Sequence, residues 1–177
     1  MKILINPGHA PNGNPDPGAM NYQLGIRECD IVLSIGKKIM YHLEILGYEV
    51  NLLQDNLPYK IIDKSKEWGT DILVCLHCGY SWKSEDEGTK VFYYGNSSKK
   101  LSSSILDELA LQLQQCNNIF DRRYSMEEVN NYNLMASNCL SCLIEIGYIS
   151  NQNDLNLLLN YQTNIAEAIA KGITKSF

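Results

Sequence analysis

Residues 71–77, DILVCLH, place five apolar residues in a row between an aspartate and a histidine. A strand that is apolar without alternation is buried on both faces, as in a parallel sheet with helices above and below it. Its last residue, His77, is one of only three histidines in the chain. It falls where the carboxyl ends of such strands gather ligands in open α/β sheets.

The neighbouring segments read the same way. KILIN (2–6) is an apolar strand ended by Pro7-Gly8, and His9 follows that turn. Residues 11–25 are rich in Gly, Pro and Asn and predict a shaped surface loop. Ile31, Ile35, Ile39, Leu43 and Leu46 recur at helical spacing, which predicts a helix over about 27–46 closed by Gly47. YEVNLL (48–53) is a second strand, and Asp55-Asn56 opens a helix that runs to about 68. The polar stretch 80–88 loops out before a strand TKVFYY (89–94), and a helix spans about 98–116. Residues 117–131 are irregular and polar and predict a second loop. NLMA (133–136) and CLSCLIEI (139–146) supply a short strand and a core strand, and helices over 151–159 and 161–175 close the chain. Alternating strands and helices predict a mostly parallel, twisted sheet with helices on both faces. The expected architecture is an α/β, three-layer sandwich forming a single domain over residues 1–177.

A length of 177 residues, 45% hydrophobic and 20% charged, suits one ordinary globular core. The net charge of −5 argues against a nucleic-acid partner, because phosphate binding needs a basic face. The pairs Lys99-Lys100 and Arg122-Arg123 read as solvated surface. No segment reaches the length of a membrane span, and MKILINPGH lacks the features of a signal peptide, so synthesis in a cytoplasm is expected. Six cysteines form two CxxC pairs, Cys75/Cys78 and Cys139/Cys142. Residues three apart in a strand point to opposite faces, which disfavours a four-cysteine zinc site or a thiol–disulfide module and favours reduced, buried thiols.

His9, Glu28 and His77 are the residue types of a hydrolytic zinc site, and Glu145 adds a fourth polar group. Two imidazoles and a carboxylate leave one position on zinc open for water, the catalytic rather than the structural arrangement. Taken singly, His9 fits a loop histidine, His77 a satisfied core histidine and Glu28 a helix-dipole partner. Glu145 is the hardest to explain away. It sits among Leu143, Ile144 and Ile146, and a buried carboxylate needs a strong partner, either a metal site or a cation such as Arg27. Which glutamate would bind the metal stays open on the residues alone. Asp16 either positions its loop or touches a ligand. Trp82 either stacks on a sugar ring or packs, and His42 reads as helix surface.

INPGH followed by DPGA, CLHC, and IEIGYISNQND together resemble the signature segments of the zinc-dependent N-acetylmuramoyl-L-alanine amidases of the amidase-3 family, in the same order and over nearly the whole chain. The resemblance implies zinc ligands at His9, Glu28 and His77 and a catalytic glutamate at Glu145. It also implies peptidoglycan as partner, with cleavage of the amide between the lactyl group of N-acetylmuramic acid and L-alanine. A zinc peptidase acting on stem peptides and a non-hydrolytic peptidoglycan-binding module are the rivals. The role expected is that of an endolysin or autolysin reaching the cell wall after phage lysis or mother-cell lysis. Departures from the pattern are Asn6, where the family usually has aspartate and which weakens support behind His9, a longer loop between His9 and Asp16, and Cys78 in place of a small residue. No segment matches the helical insertion that occludes some relatives, so an open cleft is expected.

Overall fold

A computed structural model describes residues 1–117, 122–129 and 139–177. The chain runs β1 (Lys2–Pro7), a short 3-10 turn (Pro11–Gly13), β2 (Met20–Asn21), β3 (Ile26–Arg27), α1 (Glu28–Ile45), β4 (Glu49–Leu52) and α2 (Pro58–Trp68). It continues through β5 (Ile72–Gly79), β6 (Thr89–Tyr93), α3 (Gly95–Asn117), β7 (Tyr124–Glu128), β8 (Leu140–Tyr148), α4 (Gln152–Asn160) and α5 (Gln162–Lys175).

Six strands form one sheet in the order β4-β1-β5-β8-β6-β7. β4, β1, β5 and β8 run parallel, whereas β6 is antiparallel to β8 and carries β7 parallel to itself. The loop between β5 and β6 contains no crossover helix, so β6 returns in the opposite direction. DILVCLH lies in a central strand as its composition predicts, although β5 continues two residues past His77 to Gly79.

The core is asymmetric. Ile72, Val74, Leu76, Cys142, Ile144 and Val91 face α1, α3 and α5 in one large cluster, where Ile35, Ile39 and Leu43 of α1 are fully buried. Burying each such side chain contributes about 1.5–3 kcal/mol. The opposite face carries a smaller cluster, Leu4, Leu73, Cys75 and Leu143 under Ile61 of α2. α2 thus covers that face only in part.

Several expectations need correction. The polar stretch predicted as irregular over 117–131 contains β7, an edge strand whose Ser125, Glu127 and Glu128 are exposed. Its polarity reflects edge position rather than absence of structure. The surface loop over 11–25 contains the 3-10 turn and β2, the first strand of the hairpin that β3 completes. Arg122 is not solvated surface: it is 7% exposed and ion-paired to Asp154, which is fully buried. Arg123, its neighbour, is exposed.

Cys75 and Cys78 fall in the two different clusters, on opposite faces, and Cys29, Cys75, Cys78 and Cys142 are free thiols. The short strand expected over NLMA (133–136) and the side chain of Cys116 lie outside the described residues. Among the described residues, no helix is long and apolar enough to cross a membrane.

Candidate metal centre and amidase site

Three separate elements deliver the polar groups to the carboxyl ends of the parallel strands, the ligand-binding edge of such a sheet. His9 stands just past β1, His77 near the end of β5, and Glu28 is the first residue of α1. His9 Nε2 lies 2.9 Å from Glu28 Oε1, and His77 Nδ1 lies 3.1 Å from the same oxygen. The two ring nitrogens are 3.2 Å apart. These three atoms converge within 4.8 Å, and they form the group of His, Cys, Asp or Glu among the described residues that can hold a metal ion. Separations near 3 Å are about those between ligands around a tetrahedral zinc with bonds of roughly 2.0–2.2 Å. Donor set and spacing therefore fit the metal.

Backbone geometry makes this convergence possible. His9 has φ +70°, a left-handed conformation that costs a non-glycine residue about 1–3 kcal/mol. A Cβ on Gly8 would stand 2.3 Å from His77 Cε1, and one on Gly18 would stand 2.5 Å from His9 Cδ2 and 2.6 Å from Glu28 Oε2. Both positions exclude a side chain.

His9 and Glu28 are also held from behind. Asp16 Oδ2 accepts from His9 Nδ1 at 2.8 Å, while its Oδ1 accepts from the Gly18 N–H at 3.0 Å. This bond orients the ring and turns Nε2 toward the centre. Glu28 Oε2 accepts from the Ala19 N–H at 2.7 Å and Oε1 from the Cys78 N–H at 2.8 Å, where the β5 ladder shifts register. Asp16 thus resolves to a partner of His9. Asn6, whose replacement of aspartate was expected to weaken support behind His9, turns elsewhere: its amide donates to the carbonyl of Leu53 at 2.9 Å and ties β1 to the chain after β4.

Protonation follows from this packing. Burial pushes the Glu28 carboxyl up, but the bonds and charges of His77 and His9 outweigh it and bring it down to about 2. Burial pushes the His9 imidazole down, but Glu28 and Asp16 raise it to about 9. The Glu28 carboxylate and the raised His9 imidazole therefore favour a proton between them when no cation is bound. A cation entering the site must displace a proton.

Glu145 lies on β8 directly in register with His77 of β5 and with Lys90 of β6. Burial raises its carboxyl above the usual carboxylate range, while the charges of Lys90 and His77 pull it back in part. Arg27 is not its partner, because that guanidinium is bound to Asp30 at 2.7 Å and to the carbonyl of Asn12. Trp82 is 93% exposed and touches Tyr80 edge-on, at 5.4 Å between ring centres, which excludes the packing alternative. His42 lines a groove with Tyr41 and Lys38 on the exposed side of α1, away from these residues.

The family model described as N-acetylmuramoyl-L-alanine amidase matches residues 3–175. The germination-specific N-acetylmuramoyl-L-alanine amidase of Bacillus subtilis is 24% identical over 200 residues, covering 99% of this chain and 79% of the relative. The probable cell wall amidase LytH of Staphylococcus saprophyticus is 24% identical, and there the chain spans only 58% of the relative. Among solved structures, the amidase AmiC2 of Nostoc punctiforme superposes with a TM-score of 0.84 at 27% identity, covering 99% of this chain and 96% of that one. The CwlD amidase of Clostridioides difficile, solved with the GerS lipoprotein, gives 0.82 at 29% identity, covering 99% and 97%. With a family match from end to end and neighbours of the same fold above a quarter identity, the chain belongs to the N-acetylmuramoyl-L-alanine amidase family.

Proposed function

We propose that residues 1–177 act as one catalytic domain that hydrolyses the amide between the lactyl group of N-acetylmuramic acid and L-alanine in peptidoglycan. Zinc would be held by His9 Nε2, Glu28 Oε1 and His77 Nδ1, with Glu145 as general base. The observation that carries this reading is the convergence of those three atoms, with Glu145 one strand away in register with His77. Borderline-soft imidazoles with one carboxylate favour zinc over magnesium or calcium, which prefer all-oxygen shells.

When bound, zinc supplies a water that ionises near neutral pH and a positive charge for the carbonyl oxygen. The chain supplies the rest. Asp16 keeps His9 in the orientation that directs Nε2 inward, and the N–H groups of Ala19 and Cys78 hold Glu28 in place. Glu145 takes the proton of the attacking water and returns it to the amine of the leaving L-alanine. A carboxyl raised by burial is better matched to that exchange at neutral pH than an ordinary one. The exposed indole of Trp82 offers an apolar plane for a sugar ring. The wall would be reached in phage lysis or mother-cell lysis.

Mass spectrometry of digested sacculi tests the assignment. Intact stem peptides beginning with free L-alanine are expected, their appearance abolished by a chelator and restored by zinc. Cuts within the stem peptide would indicate the zinc peptidase instead, and binding without cleavage the non-hydrolytic module.

Asp16→Asn should weaken zinc binding about 10–100-fold, the usual effect of losing the hydrogen-bond partner of a ligating histidine. Competition with a chromogenic chelator measures it. An unchanged affinity would show that His9 needs no such support.

A further inference from the structure

Gln54 stands in the chain between β4 and α2, half-buried and outside the group of converging ligand atoms. Its Nε2 lies 3.2 Å from the carbonyl oxygen of Gly8 and 2.9 Å from that of Cys29. Both partners are acceptors, so the NH2 end of the amide must face them, and its two hydrogens serve one carbonyl each. Gly8 immediately precedes His9, and Cys29 immediately follows Glu28. Among the described residues, Gln54 is the one side chain that donates to the backbone of both ligand-bearing segments.

The anchor itself is fixed. The Leu53 N–H donates to the Ile5 carbonyl at 3.0 Å, and the Leu53 carbonyl accepts from the Asn6 amide at 2.9 Å. Gln54 therefore extends from backbone that is laced to β1. Across from it, the Gly8 N–H donates to the Leu76 carbonyl at 2.9 Å, one residue before His77. No side chain caps the first turn of α1, whose Glu28 and Cys29 N–H groups donate to the loop carbonyls of Ala19 and Pro17. Gln54 adds a bond from that turn to the end of the sheet.

We propose that Gln54 is a positioning residue of the metal centre: its amide braces the His9 turn against the first turn of α1 and so sets the spacing of His9 Nε2 and Glu28 Oε1. The inference rests on the zinc reading of the site. Zinc ligands must sit within about 0.2 Å of their ideal distances, and these two come from different elements. A neutral amide fixes their separation without adding a charge beside the cation.

Competition with a chromogenic chelator measures the zinc affinity of the intact protein and tests the brace. Gln54→Met keeps the length of the side chain and removes both hydrogens. Affinity should fall about tenfold, the lower end of the usual effect of losing a hydrogen bond behind a metal site. Gln54→Glu should also weaken zinc, because a carboxylate oxygen repels both carbonyls, although its negative charge by itself favours a cation. Ser34→Ala is the control. It removes a 2.7 Å hydrogen bond from the same helix to Gln162, away from the centre, and should leave the affinity unchanged. The visible spectrum of the cobalt-substituted protein, which reports ligand geometry, should change in both Gln54 variants and not in Ser34→Ala. Unchanged affinity in Gln54→Met, tighter binding in Gln54→Glu, or an equal loss in Ser34→Ala overturns the brace. A parent protein that takes up neither zinc nor cobalt overturns the zinc reading itself, which is a different result from a variant that binds as tightly as the parent.

Discussion

Glu145→Gln should lower peptidoglycan hydrolysis by about 10²–10⁴-fold, the usual contribution of a positioned general base, while leaving the zinc content unchanged. Glutamine preserves shape and keeps the register of β8 against His77 and Lys90, but it cannot accept the proton of the attacking water. Because Glu145 is not among the three converging ligand atoms, its loss should not empty the site. The pair of measurements separates base from ligand: elemental analysis reports the metal, and release of L-alanine-terminated peptides reports the rate. Glu28→Gln serves as the contrast. It removes charge from the oxygen that lies 2.9 Å from His9 and 3.1 Å from His77, so metal and rate should fall together. A Glu145→Gln rate within tenfold of the parent would take the base role away from this residue.

Arg122→Met should destabilise the fold by about 3–5 kcal/mol, the cost of removing one partner of a buried ion pair. Asp154 is fully buried, and its Oδ1 accepts from Arg122 Nη1. Its Oδ2 accepts from the Gly88 N–H at 2.9 Å and the Tyr148 N–H at 2.8 Å. Arg122 Nη2 donates in turn to the Ile146 carbonyl at 2.8 Å and to Thr89 Oγ1 at 3.1 Å. One guanidinium thus ties the start of β6, the end of β8 and α4 together, right beside Glu145. Urea unfolding measures the loss. Adding Asp154→Asn should recover part of it, because the second change removes the stranded charge. A loss under 1 kcal/mol would show that water reaches the pair.

The same residues show where a linear reading loses its grip. Arg122 and Arg123 are adjacent and identical, and nothing in FDRRYS separates them. One becomes the buried tie of the sheet and the other an exposed cation lining a cavity, because burial depends on which side of the chain meets α4. β7 was missed for a related reason: an edge strand buries little, so its polar residues carry no apolar period. The partners of Asn6 and Asp16 are not legible in the sequence because hydrogen-bond partners depend on loop geometry. The conformations of Gly8, His9 and Gly18 bring Asp16 to His9 and leave Asn6 facing Leu53.

The order and burial of the main elements follow from the sequence by itself, since the unbroken apolar run of β5 and the helical spacing in α1 specify their own period and depth. So does the list of four polar residues, although singly His9, Glu28 and His77 have ordinary uses and only their combination with Glu145, set in an apolar run, points to a site. The resemblance implies Glu28 as the ligand, but the physical reason that this carboxylate joins the imidazoles lies in the tertiary structure. Glu28 starts a helix pointing into the space between β1 and β5, whereas Glu145 is one strand further along the sheet. That difference, set by strand order and not by residue type, separates a candidate ligand from a candidate base.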